Sequence, residues 1–205
     1  MTTEPVPRLV TALAVPSIAT MLVSSIYNMV DTAFVGTLGT SASGAIGVVF
    51  GYMAILQAIG FLCGQGTGSV MSRFMGQQNE AEANRYASTG FMLTFSLGTI
   101  VALLSLLFFE PLIYMLGSTD TIAPYAKIYV GFIIASAPFF TSSFTMNNLL
   151  RYEGKAKLGT MGMLTGSVLN IFGDFLLIFV FKMGIAGAGL STAISQFISF
   201  CILLS

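Results

Sequence analysis

The chain has 205 residues, of which 55% are hydrophobic and only 8% are charged. A soluble domain carries about 25% charged residues, so this composition excludes a soluble protein and indicates a polytopic membrane protein. The formal net charge is zero, which argues against a nucleic-acid partner, because nucleic-acid-binding proteins present a basic face.

Apolar stretches long enough to cross a bilayer, which takes about 20 mostly apolar residues, follow one another along the chain. Backbone polar groups in lipid must be hydrogen-bonded within their own segment, so each stretch is predicted to be a helix. The predicted spans are 9–38, 45–72, 86–109, 122–149, 158–181 and 185–205. The sequence therefore predicts an all-α, polytopic membrane helix bundle of about six transmembrane helices, forming a single domain over 1–205.

The basic residues are distributed unequally between the two sides of this bundle. Two lie on one side, Lys127 and Lys182, and six flank the other: Arg8, Arg73, Arg85, Arg151, Lys155 and Lys157. The positive-inside rule assigns the richer side to the cytoplasm. We expect a plasma (cytoplasmic, inner) membrane protein with a cytoplasmic N-terminus and with the first span retained rather than cleaved as a signal peptide.

The first span carries an acidic residue, Asp31, with Asn28 three residues before it. A carboxylate at the centre of a membrane helix costs about 2.5–3.5 kcal/mol even on the lenient insertion scale. Such a residue is therefore interpreted as functional by default, with the Asn28 amide available as a hydrogen-bond donor or as part of a coordination shell.

Small residues recur every four positions along the second and third spans, which places them on one helical face. The second span has Gly60, Gly64, Gly68 and Ser72, and the third has Gly90, Thr94, Gly98 and Ala102. Faces of this kind allow another helix to approach closely. The spans are thus expected to pack as one bundle.

The fifth span carries a second acid, Asp174, with Asn170 four residues before it. Asp31 lies eight residues before Gly39 and Asp174 lies eight residues before Lys182, each just past an outward-running span. At 1.5 Å per residue both acids are about 12 Å below the same end. Thr192 of the sixth span reaches that depth from the opposite direction, and Gln196 follows one turn later. This spacing predicts a polar chamber in which a proton or a small cation neutralises the acids. Structural hydrogen bonds between helices are the open alternative.

An enzyme is not expected. The chain contains no histidine, which excludes a nucleophile–histidine pair and a Cys/His metal cluster, and no glycine-rich phosphate loop precedes a lysine. We expect no cofactor other than the coupling ion, and no metal other than sodium at the two acids.

Five stretches together resemble the multidrug and toxic compound extrusion (MATE) family of secondary antiporters: PSIATMLVSSIYNMVDTAFVGTLG, GQGTGSVMSRFMGQQNEAEA, RYEGKAK, LNIFGDFLLIF and MGIAGAGLSTAISQ. The resemblance implies a fold of twelve helices in two six-helix lobes, of which this chain is similar to the N-terminal lobe. It also implies a cation site at Asp31, Asp174, Asn170 and Thr192, with Tyr129 as a weaker correspondence. The partner would be a missing C-terminal lobe or a second copy of the chain.

The leading functional prediction is a multidrug efflux antiporter coupled to protons or sodium. Its substrate would be a small organic molecule, cationic and amphipathic. Two other classes stay open. One is a non-transporting membrane scaffold subunit whose acids only hold helices together. The other is a channel, which is disfavoured because neither a ring of charges nor a filter-like loop is visible.

Overall fold

The computed structural model describes the backbone of residues 6–205 and the side chains of 11, 14, 15, 18, 19, 21, 22 and 25–205. The side chain of Arg8, which contributes to the orientation prediction, lies outside the described residues. Seven helices follow in chain order: α1 (Val6–Gly36), α2 (Thr40–Gly76), α3 (Glu80–Leu107), α4 (Phe109–Met115), α5 (Ala123–Tyr152), α6 (Ala156–Asp174) and α7 (Ile185–Leu204). Among the described residues, α2, α3, α5, α7 and the helix beginning with α6 are each long and apolar enough to cross a membrane.

Two local features differ from the predicted spans. The third span was expected to reach residue 109, but α3 ends at Leu107 and a short separate helix follows. Pro111 explains the break, because proline has no N–H to bond the carbonyl four residues earlier. The fifth span changes geometry after Asp174: residues Phe175–Val180 form a π-helix, and the Phe181 N–H donates to the Leu176 carbonyl, five residues earlier, at 2.9 Å.

Helix α5 lies at the centre of the bundle and packs against α2, α3, α6 and α7. The glycine face predicted for α2 packs closely against α5. A Cβ atom added at Gly60 would lie 2.7 Å from the Thr141 main-chain oxygen, and one at Gly64 would lie 2.9 Å from the Asn148 Cβ. Any larger side chain at these positions would push α2 away from α5.

The loops divide the bundle into two ends. Loops 77–79 and 153–155 lie at one end, which we call the basic end because most of the basic side chains flank it. Loops 37–39, 116–122 and 181–184 lie at the opposite end. The largest apolar core lies toward this opposite end, where Val35, Val49, Leu56, Val130 and Ile178 are all at most 4% exposed. It contains residues from α1 to α5, from α7 and from the π-helix, so it holds the buried polar side chains beside it in fixed positions.

Candidate functional site

Two buried carboxyl groups form the centre of the candidate site. Asp31 on α1 is 2% exposed and Asp174 at the end of α6 is fully buried, and no other charged side chain that the structure describes is buried. The two carboxyl groups belong to the same buried cluster, and each acts electrostatically on the other. Two like charges in such a place repel, so the pair requires a compensating positive charge.

A directed chain of hydrogen bonds connects three helices, α6, α7 and α5, to Asp31 on α1. The Asn170 amide donates to the Thr192 hydroxyl at 3.1 Å, and the Thr192 and Tyr129 hydroxyl oxygens are 3.1 Å apart. The Tyr129 hydroxyl then donates to Asp31 Oδ2 at 3.0 Å. Since the Tyr129 proton is used on Asp31, the Thr192 hydroxyl must be the donor to Tyr129. Bonds aligned in one direction polarise one another and strengthen the last donation, here to the carboxylate.

Several oxygens of the site face the interior without a donor. Asp31 Oδ1, Asn170 Oδ1 and both carboxyl oxygens of Asp174 have no hydrogen-bond partner among the described residues. An acceptor buried without a partner costs about 1–3 kcal/mol, and more when it is charged. One proton could serve two of these oxygens by joining a carboxyl to its neighbour. A small cation could contact all of them, because oxygen atoms are the ligands that hard cations prefer.

A cavity of about 210 Å³ adjoins this cluster on the side facing the basic end. Its polar lining includes Tyr27, Asn28, Gln57, Asn170 and Gln196. The apolar part of its wall is formed by phenylalanine and methionine side chains, namely Phe50, Met53, Phe140, Phe144 and Met163. Asn170 belongs to both the cluster and the cavity and so connects the two.

The predicted site residues therefore separate into two groups. The structure brings Asp31, Asp174, Asn170, Thr192 and Tyr129 together in the buried cluster. It places Asn28 and Gln196 in the cavity wall instead, where both are partly exposed.

Sequence reasoning missed two members of the site, Tyr27 and Ser191. Tyr27 lines the cavity and lies near both acids. The sequence signal for it was its position four residues before Asp31, which places the two residues on one helical face. Ser191 bonds to Asn170, and it begins a stripe of serines at every fourth position of α7, continued by Ser195 and Ser199.

Comparison with known proteins shows which family the chain belongs to. The sequence model of the MatE family matches residues 16–176, most of the chain. The chain belongs to the MATE family. It is 33% identical over 193 residues to the multidrug export protein MepA of Staphylococcus saprophyticus, covering 91% of this chain and 42% of that protein. With MepA of Staphylococcus aureus (strain MSSA476) it shares 31% over 194 residues, covering 94% and 43% respectively.

Solved MATE structures share the fold. An outward-facing multidrug resistance MATE transporter superposes with a TM-score of 0.86 at 27% identity, covering 95% of this chain and 43% of that one. A crystal structure of MATE in complex with MaD3S gives 0.89 at 26% identity, covering 95% and 44%. The predicted all-α membrane bundle, similar to one lobe of a MATE transporter, is thus confirmed. This MATE chain spans about two fifths of the length of these relatives.

Proposed function

We propose that this chain is the N-terminal lobe of a cation-coupled multidrug efflux antiporter, and that the coupling ion, a proton or sodium, binds between Asp31 and Asp174. The observation that carries the proposal is the buried pair of interacting carboxyl groups, surrounded by oxygens that lack donors. A proton or sodium ion at this position neutralises one of the two negative charges and removes their mutual repulsion, which the apolar core beside them cannot do.

The driving force available to such a site is sufficient for useful transport. A membrane potential of 100 mV is worth about 2.3 kcal/mol per charge moved, which is a bias of about fiftyfold. Binding of the ion would rearrange the hydrogen bonds around Asn170, and this side chain also lines the cavity. The ion would thereby lower the affinity of the cavity for the extruded molecule.

The cavity supports an organic, amphipathic and cationic substrate. Its phenylalanine and methionine side chains offer polarizable apolar surface that tolerates varied shapes, and the neighbouring carboxyl pair attracts positive charge. Full transport would use a second lobe, either a C-terminal lobe or a second copy of this chain. The membrane would be the plasma membrane, with the N-terminus in the cytoplasm.

A scaffold subunit is the second candidate, because the bonds from Asn170 to Asp31 tie α1, α5, α6 and α7 together. Replacement of Asp31 and Asp174 by Asn in the full gene product separates the two functions. The transporter predicts that the double variant retains its melting temperature but loses cation-dependent ethidium efflux. The scaffold predicts a large loss of melting temperature, and no cation-dependent efflux from the unmodified protein.

Asp120 provides the matched control. It is an exposed aspartate that accepts a bond from the exposed Tyr114 hydroxyl, and Asp120→Asn should leave efflux unchanged. Imposing a pH gradient and a sodium gradient separately in liposomes would identify the coupling ion. A conductance that needs no gradient of substrate or coupling ion would instead reveal a channel.

A further inference from the structure

Gly173 and Ser191 make an unusually close contact immediately beside Asp174. A Cβ atom added at Gly173 would lie 2.4 Å from Ser191 Oγ and 3.2 Å from Ser191 Cβ. Real Cβ atoms essentially never approach within 3.0 Å of another heavy atom. Glycine at position 173 therefore makes the space in which the Ser191 hydroxyl lies.

The Ser191 hydroxyl has two acceptors within its reach. In the structure it donates to the main-chain oxygen of Asn170 at 3.0 Å. It also lies against Gly173, the residue before Asp174, which brings it to the side of the Asp174 carboxyl group. The Asn170 carbonyl already accepts the helical N–H from four residues later. It can lose the serine bond without becoming unsatisfied, so the hydroxyl is free to turn.

The other groups that face Asp174 do not supply a donor to it. Asp31 and Tyr27 approach from α1 and Tyr129 from α5, but the Tyr129 proton is committed to Asp31. Thr192 on α7 accepts from Asn170 and bonds to Tyr129. Both Asp174 oxygens remain without a donor among the described residues, and Ser191, packed against Gly173, is a hydroxyl placed to provide one.

We propose that Ser191 is a positioning residue that sets the ion affinity of this site, by turning its hydroxyl from the Asn170 carbonyl to the Asp174 carboxylate when the ion leaves. The inference rests on the proposed function and adds the step of ion release to it. In the empty site the hydroxyl stabilises the uncompensated negative charge of Asp174. In the loaded site the ion does so, and the hydroxyl returns to Asn170.

Ser191→Ala in the full gene product, reconstituted in liposomes, tests the proposal. Loss of the donor destabilises the empty site more than the loaded one, so the half-saturating concentration of the coupling ion should fall about tenfold, the change expected from one hydrogen bond to a charged group. The measurement is ethidium efflux against sodium chloride at fixed pH, and against pH without sodium. Ser195→Ala, a buried serine one turn along α7, is the control and should leave the half-saturating concentration unchanged.

Gly173→Ala provides an independent second variant, because the new methyl group occupies the space of the Ser191 hydroxyl. It should shift the half-saturating concentration in the same direction. Combined with Ser191→Ala it should add little, since the hydroxyl is already absent.

The possible failures are distinguishable. If Asp174→Asn abolishes cation dependence but Ser191→Ala changes only the melting temperature or maximal rate, the role of Ser191 is overturned and the antiporter stands. If Asp174→Asn leaves cation dependence intact, the proposed function fails, and the role of Ser191 fails with it.

Discussion

Replacing Gly60 by alanine should separate α2 from α5 and destabilise the bundle. The added methyl group would lie 2.7 Å from both the Thr141 main-chain oxygen and the Phe144 Cβ. Ordinary contacts begin at 3.4 Å, so the helices must move apart by about 0.7 Å. Neither contacting atom belongs to the flexible end of a side chain, and the movement must come from the backbone.

The expected cost follows from comparison with Gly66 on the same helix. Gly66 is exposed and has no heavy atom within 4 Å of an added Cβ. Both substitutions gain the same helix preference of alanine over glycine, so the difference between them isolates the packing at Gly60. Overpacking costs about 1–3 kcal/mol. A difference of about 2 kcal/mol lowers the melting temperature of a chain of this size by about 4–8 °C.

Thermal unfolding of the purified chain in detergent micelles, followed by far-UV circular dichroism, measures this difference. Gly66→Ala should melt at or slightly above the temperature of the unmodified chain, and Gly60→Ala clearly below it. Equal melting temperatures for the two variants would refute the close packing of α2 on α5 described above.

Two further predictions concern the polar interior. Tyr129→Phe removes the donor to the Asp31 carboxylate and should lower the half-saturating concentration of the coupling ion about tenfold in liposome efflux assays. Tyr125 is an exposed tyrosine on the same helix, and Tyr125→Phe should leave that concentration unchanged. An equal effect of the two variants would contradict the proposed ion site. Thr145→Val removes bonds to the Gly60 carbonyl and to Thr94, both 3.0 Å long, and should cost about 1–2 kcal/mol in thermal unfolding. Thr99→Val affects a bond within its own helix and should lower the free energy of unfolding clearly less. Equal losses for the two variants would show that the bonds of Thr145 between helices do not stabilise the bundle.

Apolar length and residue spacing were sufficient to predict most of the architecture. The glycine face of α2 was predicted from steps of four residues, because helical periodicity alone decides which positions share a face. The break before α4 and the π-helix after Asp174 were not predicted. The first depends on where the missing proline N–H interrupts a continuous apolar run. The second depends on how that segment packs against α7, where a Cβ atom added at Gly187 would lie 3.0 Å from the Leu177 carbonyl oxygen.

The candidate site shows the same division. Spacing from the span ends placed Asp31, Asp174 and Thr192 at one depth, since the rise per residue of a helix is fixed. It did not separate the buried cluster from the cavity wall, so Asn28 and Gln196 were grouped with the acids. It also missed Ser191. Neighbouring residues on one helix point in directions about 100° apart, and the depth of a residue in the membrane does not determine the direction in which it points.

The sequence by itself determined that this chain is a membrane bundle of helices with two acids at matching depth, because the cost of burying charge in lipid and the fixed rise of a helix leave few alternatives. The tertiary structure decided how the helices are rotated about their own axes. That rotation depends on glycine contacts between helices far apart in sequence, and it turns the two carboxyl groups toward each other, directs the Tyr129 hydroxyl to Asp31, and brings Ser191 beside Asp174.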